Sequence, residues 1–181
     1  MGKREVKAVF LDRDGVLIHS LVRNGKPYSP NRLSMMKIIK GVPEACHRLK
    51  KAGFLLIVVT NQPDVARGKQ SLEVVEEMNN RLLSILPIDD IQACYHDDVD
   101  NCICRKPKPG LLFNAAINWS IDIRKSYLVG DRWRDIEAGR SAGCTTIFID
   151  YGYDESVQSK ADITLKSLEE ASQWIISKEQ T

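Results

Sequence analysis

Apolar residues along the chain fall into short runs of strand length, and the segments between these runs repeat their apolar positions every three or four residues. The run FLLIVV is apolar at every position, so it presents apolar side chains on both faces of a sheet, as strands covered by helices on each side do. We predict five strands, at residues 6–11, 54–60, 91–95, 126–129 and 145–149.

The segments between the strands have helical periodicity. The segment GVPEACHRLKKAG, residues 41–53, has a glycine at each end, and residues 71–86 carry leucine, valine and methionine at helical steps. We predict five helices, at residues 41–53, 71–86, 110–119, 133–142 and 168–176.

Strands and helices alternate along the chain, which predicts an α/β fold. We therefore predict a Rossmann-like, doubly wound parallel sheet with helices on both faces. Such sheets bind ligands at the carboxyl ends of their strands. The length of 181 residues indicates a single domain over residues 1–181. Residues 19–36 have the least pattern and are expected to form a loop.

Composition excludes several classes of protein. No apolar run approaches the roughly 18 residues that span a bilayer, and Asp12 and Arg13 interrupt the first apolar run too early for a secretory signal. A net charge of +2 with 7% aromatic residues offers no basic stripe for nucleic acid. We therefore expect a cytoplasmic monomer with no membrane or nucleic-acid partner.

The stretch VFLDRDGVLI, residues 9–18, sets two aspartates directly after an apolar run. Asp12 and Asp14 would lie at the carboxyl end of the first strand, and Gly15 would allow the chain to turn sharply. A turn rich in Asp and Gly is the simplest interpretation of this motif alone.

The other strand ends carry matching chemistry. Thr60 and Asn61 follow the second strand, Lys106 directly precedes a helix, and Asp131 follows the fourth strand. Carboxylates gathered there would repel one another unless a cation neutralised them, and oxygen ligands suit Mg²⁺. A lysine and a threonine hydroxyl beside that cation favour a site for a phosphoryl group.

A second cluster is formed by cysteines and a histidine. Their spacing is C-x-H-x5-C-x-C, and the residues are Cys94, His96, Cys102 and Cys104. Three thiolates and one imidazole suit a closed, tetrahedral and therefore structural Zn²⁺ site. The alternative is a disulfide, which a cytoplasmic chain disfavours. Cys46 and Cys144 lie in helix- and strand-like segments and are expected in the core.

The four segments DRDGV, VVTNQ, RKPKPG and GDRWRD, in this order, resemble the four motifs of the haloacid dehalogenase-type phosphatases, over about residues 6–153. The resemblance implies that Asp12 is a nucleophile that forms an aspartyl-phosphate, and that Asp14 is the general acid and base. It implies that Thr60 and Lys106 hold the phosphoryl oxygens.

The same resemblance implies a magnesium site. Asp12, Asp131 and the main-chain carbonyl of Asp14 would be its ligands. Asp135 would either orient these ligands or face solvent as an ordinary helix residue.

The intervals between the motifs are too short for a cap domain, so the site should be open. A capless chain with a short C-x-H…C-x-C loop resembles the branch that contains histidinol-phosphate and D-glycero-D-manno-heptose 1,7-bisphosphate phosphatases. Within this branch, TNQPDVARGK and CRKPKPG look more like the heptose enzymes. Recognition is then expected from the loop at residues 19–32, the loop at residues 62–69 and the zinc loop.

A phosphorylated sugar is the partner that this resemblance implies. The expected substrate-binding residues are Asn61, Gln62, Arg67, Arg105 and Arg132. With Lys69, the three arginines would form a basic rim for a second phosphate, unless they are scattered surface charges. Alternatives are another small sugar phosphate or histidinol phosphate as substrate and, from other classes, a zinc-stabilised binding module or a metal-dependent nuclease.

Overall fold

The computed structural model describes residues 6–155 and 159–180. Its strands are β1 (Ala8–Leu11), β2 (Leu21–Arg23), β3 (Lys26–Tyr28), β4 (Leu55–Asn61), β5 (Asp90–Cys94), β6 (Tyr127–Gly130), β7 (Thr145–Ile149) and β8 (Ile163–Leu165). Its α-helices are α1 (Val42–Lys51), α2 (Leu72–Ile85), α3 (Gly110–Trp119), α4 (Trp133–Ala142) and α5 (Leu168–Glu179).

Six of the strands form one parallel sheet in the order β5-β4-β1-β6-β7-β8. The first strand is central, and its last residue, Leu11, pairs with Val58 on one side and Val129 on the other. Because all six strands run the same way, their carboxyl ends meet at one edge of the sheet.

Helices cover both faces of the sheet, as predicted. Alternate residues of β1 point to opposite sides, so Val9 packs in one apolar core and Phe10 in the other. One core is closed mainly by α1 and α5 and the other by α3 and α4. Cys46 and Cys144 lie in these cores and are buried, which confirms the prediction for both.

The predicted elements agree with the structure to within one or two residues at most ends. Residues 110–119, 133–142 and 145–149 are confirmed at both ends. The prediction missed β8, a three-residue strand at the sheet edge that has no fully buried residue and hence little hydrophobic signal.

Residues 19–36 are not a plain loop, and this expectation is wrong. They contain the antiparallel hairpin β2–β3. Asn24 and Gly25 connect its strands with φ of 49° and 72°, the left-handed pair that an Asn-Gly hairpin turn requires. The hairpin is the main insertion between β1 and α1, so the described chain has no cap domain there. None of the described helices is long and apolar enough to cross a bilayer.

Candidate active site

The sheet brings the predicted site residues together at the carboxyl ends of β1, β4 and β6. Asp12 follows β1, and its backbone N–H donates to the carbonyl of Val129 at 3.0 Å. Gly15 has a φ of 87°, and a Cβ on it would lie 1.9 Å from the Asp131 carboxylate. Glycine is therefore required where the turn after β1 passes the end of β6.

Lys106 is buried at the centre of the site, with 2% of its surface exposed. Its Nζ lies 2.8 Å from Oδ1 of Asp12 and 2.6 Å from Oδ1 of Asp135, and it donates to the carbonyl of Val59 at 2.7 Å. Burial opposes the charge of this lysine, but the two carboxylates outweigh burial and raise its pKa. Lys106 is thus a fixed cation.

Three buried carboxylates lie together at this site, and Lys106 contacts two of them, Asp12 and Asp135. Burial, followed by the nearby Asp135 carboxylate, raises the pKa of Asp12 to about 6, although Lys106 opposes the shift. Burial and the carboxylates of Asp12 and Asp135 also raise the pKa of Asp131 well above its ordinary value. The negative charges exceed the positive charge that the protein supplies.

The same carboxylates are arranged to bind a cation. Oxygens of Asp12, Asp131 and Asp135 lie within 4.8 Å of one another. Both carboxylate oxygens of Asp131 are buried and accept no hydrogen bond of ordinary geometry from a described residue, although the nearby Tyr153 hydroxyl partly offsets the rise in its pKa. Burying carboxylate oxygens that accept no hydrogen bond costs free energy unless a metal ion binds them. The three carboxylates therefore fit Mg²⁺.

Asp135 is not a solvent-facing helix residue. It is 1% exposed, and in the first turn of α4 its Oδ2 accepts a hydrogen bond from the backbone N–H of Arg132 at 3.0 Å. Its other oxygen holds Lys106. The solvent-facing alternative is therefore excluded.

The Asp14 carboxylate is not among the three that cluster, and it is held by its own hydrogen bonds. Its carboxylate accepts hydrogen bonds from Nη2 of Arg13 at 3.1 Å, from Oγ of Ser29 at 2.9 Å and from Nε2 of Gln62 at 2.7 Å. Gln62 also donates to Oγ1 of Thr60 at 2.9 Å, so one amide joins two of the predicted site residues.

Sequence reasoning missed two of the residues that hold Asp14. Arg13 is fully buried, and its Nη1 donates to Oδ1 of Asn79 on α2 at 3.0 Å. An arginine between two aspartates at a buried strand end is a signal that could have been used. Ser29 follows the β2–β3 hairpin, and no pattern in the sequence marks it.

Asn61 supports the segment that carries Lys106. Its side-chain amide donates to the backbone carbonyl of Lys106 at 3.0 Å and accepts from the backbone N–H of the same residue at 3.1 Å. This paired contact fixes the backbone of the lysine relative to the end of β4.

A cleft of about 520 Å³ opens above these residues. Its walls include the four residues of the predicted basic rim, which are Arg67, Lys69, Arg105 and Arg132. The four basic side chains therefore line one cleft, and their role in binding a second phosphate stays a prediction. The hairpin β2–β3 and the loops predicted to recognise the substrate also line this cleft.

The three arginines of the rim form ion pairs, which the sequence analysis did not predict. Arg67 forms a two-point ion pair with Asp97, at 2.7 and 2.5 Å. Arg105 donates from Nε to Asp98 at 2.8 Å, and Arg132 pairs with Glu155. The ammonium group of Lys69 has no polar partner among residues 6–155 and 159–180.

The cysteine and histidine cluster forms beside the cleft. The sulfur atoms of Cys94, Cys102 and Cys104 lie 3.2 to 3.7 Å apart, and Nδ1 of His96 lies 3.3 and 3.5 Å from two of them. Tetrahedral zinc with bonds of about 2.3 Å to sulfur needs sulfur-to-sulfur distances of about 3.7 Å. All the cysteines are free thiols, so the disulfide alternative is excluded and the cluster fits zinc.

Comparison with known proteins decides the family. The chain is 33% identical to the D-glycero-β-D-manno-heptose-1,7-bisphosphate 7-phosphatase of Yersinia pestis, over 96% of this chain and 92% of the relative. It is 34% identical to the enzyme of the same name from Escherichia coli strain K12, over 95% of each chain. The chain belongs to the haloacid dehalogenase-type phosphatases.

Two further comparisons agree with membership in this phosphatase family. A family model described as HAD-hydrolase-like matches residues 103–171. The crystal structure of the D,D-heptose 1,7-bisphosphate phosphatase from B. bronchiseptica, complexed with magnesium and phosphate, superposes with a TM-score of 0.81 at 25% identity, covering 96% of this chain and 99% of that chain. The resemblance drawn from the four motifs is confirmed.

Proposed function

We propose that this phosphatase hydrolyses the 7-phosphate of D-glycero-D-manno-heptose 1,7-bisphosphate, in the synthesis of heptose precursors for lipopolysaccharide or another surface polysaccharide. The observation that carries the chemistry is the position of Lys106 between the carboxylates of Asp12 and Asp135. The names of the relatives support the substrate.

Asp12 is the proposed nucleophile. One of its carboxylate oxygens attacks the phosphorus, and the bond from phosphorus to the sugar oxygen breaks. Lys106 keeps the Asp12 carboxylate ionised and in place, because it donates to Oδ1 from a buried position. Lys106 and Thr60 would also donate to the phosphoryl oxygens during transfer.

Asp14 is the proposed general acid and base. It gives a proton to the leaving sugar oxygen, and it then takes a proton from the water that attacks the phosphoryl group on Asp12. Phosphate is released, and both aspartates return to their starting state. The hydrogen bonds from Arg13, Ser29 and Gln62 support this role, because they fix the orientation of the Asp14 carboxylate.

Magnesium would be held by Asp12, Asp131 and the main-chain carbonyl of Asp14. When bound, it offsets the negative charge of the carboxylates and of the phosphoryl oxygens. Asp135 would orient this site through its contact with Lys106. The buried oxygens of Asp131, which have no donor of ordinary geometry in the described chain, support the assignment.

Zinc would be bound by Cys94, His96, Cys102 and Cys104, with a structural role. Four protein ligands leave no open position for catalysis. The zinc loop carries Arg105 and leads directly into Lys106, so this site would fix the rim and the active-site lysine together. The clustering of the four ligand atoms supports this proposal.

The proposed substrate suits an open cleft with cations on its rim. A second phosphate can form paired hydrogen bonds with arginine, which a monophosphate leaves unused. Histidinol phosphate carries a cationic amine instead, which the rim would repel. These properties favour a small sugar bisphosphate over the histidinol compound.

A comparison of substrates tests the proposal. We expect kcat/KM to be highest for heptose 1,7-bisphosphate, lower for fructose 1,6-bisphosphate and lowest for histidinol phosphate. Arg105→Ala should reduce hydrolysis of the bisphosphates more than that of the histidinol compound, while the exposed Arg81→Ala on α2 serves as the control. If histidinol phosphate is the best substrate, the proposed substrate is wrong.

A further inference from the structure

We propose that Arg134 is a specificity-determining residue that binds the second phosphate of the substrate together with Arg105. This inference rests on the proposed function, since it assumes a substrate with two phosphates. Arg134 lies in the first turn of α4 and lines the same cleft as Asp12 and Lys106.

Asp98 of the zinc loop holds the two arginines side by side. Its Oδ1 accepts hydrogen bonds from Nε of Arg105 at 2.8 Å and from Nη1 of Arg134 at 2.9 Å. A second, longer contact joins Nη2 of Arg105 to Oδ2 of Asp98 at 3.5 Å. The carboxylate thus brings two guanidinium groups from distant segments to one point on the rim.

The charge balance at this point differs from that at the other rim arginines. Arg67 faces the two carboxylates of Asp97 and Asp64. Arg132 faces the single carboxylate of Glu155. Asp98, by contrast, is shared by two arginines, so the directly hydrogen-bonded group of Asp98, Arg105 and Arg134 carries a net positive charge, while Asp97, which pairs with Arg67, acts on Arg105 without a hydrogen bond to it. A phosphate binds where such charge remains.

Arg134 also keeps more donors available than the other rim arginines. Its Nη1 is used by Asp98 and, at 3.5 Å, by the backbone carbonyl of Lys106. Its Nε and Nη2 have no partner within residues 6–155 and 159–180. Arg67, by comparison, uses all three nitrogen atoms on carboxylates.

The position of Arg134 is restrained, which reduces the entropy that binding must overcome. Its guanidinium lies 5.1 Å from the ring centroid of Trp133, and its side chain is 29% exposed. A partly exposed guanidinium held by a carboxylate and an aromatic ring is ready to donate to phosphate from its remaining nitrogen atoms.

The test uses two substrates that differ only in the second phosphate, heptose 1,7-bisphosphate and heptose 7-phosphate. We expect Arg134→Ala to raise KM for the bisphosphate about 10- to 100-fold, because charge-assisted hydrogen bonds are lost. The loss on the 7-phosphate should be at least about fivefold smaller. Arg134→Lys, which keeps the charge but not the planar fork, should lose less than the alanine variant.

Arg81→Ala is the matched control, since Arg81 is exposed on α2 away from the cleft, and thermal unfolding of each variant checks the fold. The inference is overturned if Arg134→Ala affects both substrates equally or neither, while the wild-type enzyme still prefers the bisphosphate. If the wild-type enzyme itself shows no preference for the bisphosphate, the proposed function fails as well. The two failures are therefore distinguishable.

Discussion

The floor and the rim of the cleft are built in different ways. The floor consists of Asp12, Asp131, Asp135 and Lys106, which are all buried and lie at or beside the ends of the central strands. The rim consists of Arg67, Lys69, Arg105 and Arg132, with Arg134 beside them, and none of these residues is buried. The ends of the sheet strands, the first turn of α4 and the Asn61 contact position the floor, whereas ion pairs position the rim arginines.

This difference separates chemistry from recognition. The floor residues are buried at or beside the ends of sheet strands. Any movement of them would disturb the packing of the sheet, and this packing therefore keeps the reacting groups in place. Changing a rim residue alters a surface ion pair, which contributes little to folding stability. We therefore expect floor variants to lose turnover and rim variants to lose selectivity.

The largest effect is expected for Asp12→Asn. The amide fills the same space but cannot attack phosphorus, so kcat should fall by at least about 10⁴-fold. The fold should be preserved, because the variant removes a buried carboxyl whose pKa is raised by burial. Steady-state kinetics and thermal unfolding measure the two effects, and Glu77→Gln on the exposed side of α2 is the control. Near wild-type turnover in Asp12→Asn would contradict the role of the floor.

An intermediate effect is expected for Cys102→Ser, which weakens the zinc site beside the rim. Zinc content should decrease, and KM should rise about 10-fold because the loop that carries Arg105 loosens. The unfolding midpoint should fall by about 5 °C. At about 2–4 °C per kcal/mol in a protein of this size, this fall corresponds to a loss of about 1–2.5 kcal/mol of unfolding free energy. Elemental analysis of protein purified without chelators checks the premise. Cys46 lies in the core and is not one of the proposed zinc ligands, so Cys46→Ser should lose stability without a change in zinc content.

The smallest effect concerns pH and magnesium at the floor. The pKa of Asp12 rises from 3.8 to about 6 on folding, so the folded state binds protons more tightly than the unfolded state. Stability of the magnesium-free protein should therefore fall as pH rises from about 4 to above 6. Magnesium competes with these protons, and it should raise the unfolding midpoint by a few degrees more at pH 7 than at pH 5.

Thermal unfolding with and without magnesium measures this difference. Asp131→Asn is the matched variant, because it removes a proposed ligand and a carboxyl whose pKa is also raised. Its midpoint should respond little to magnesium at either pH. Equal stabilisation of the wild-type protein at both pH values would show that the floor carboxylates do not bind the ion.

The floor could be predicted from the sequence because its signals are local. Apolar runs locate the strands, and polar residues at the carboxyl ends of parallel strands must meet at one edge. The placement of Asp12 and Asp131 on the floor, and of Thr60 at the end of β4 beside it, follows from this rule. The burial of Asp135 did not follow, because its position in the first turn of α4 fits both a solvent-facing and an inward-facing side chain.

The rim could be predicted only in part. Residues 62–69 and the zinc loop were expected at the cleft, and they line it. The contact of Asp98 with Arg134 could not be found, since the two residues are 36 positions apart and meet through tertiary packing. The turn of β2–β3 did carry a signal, the Asn-Gly pair flanked by short strand-like segments.

The central claim is that phosphate transfer proceeds through a covalent bond to Asp12, and trapping that bond tests it most directly. In Asp14→Asn the water attack lacks its base, so the phosphorylated enzyme should accumulate. The variant is mixed with an aryl phosphate, which has a good leaving group, and magnesium; the protein is then quenched in acid, digested and mapped by mass spectrometry. We predict one phosphoryl group on the peptide that contains Asp12, and none in the Asp12→Asn, Asp14→Asn double variant. Turnover with no phosphorylated peptide, or with the phosphoryl group on another residue, would contradict the claim.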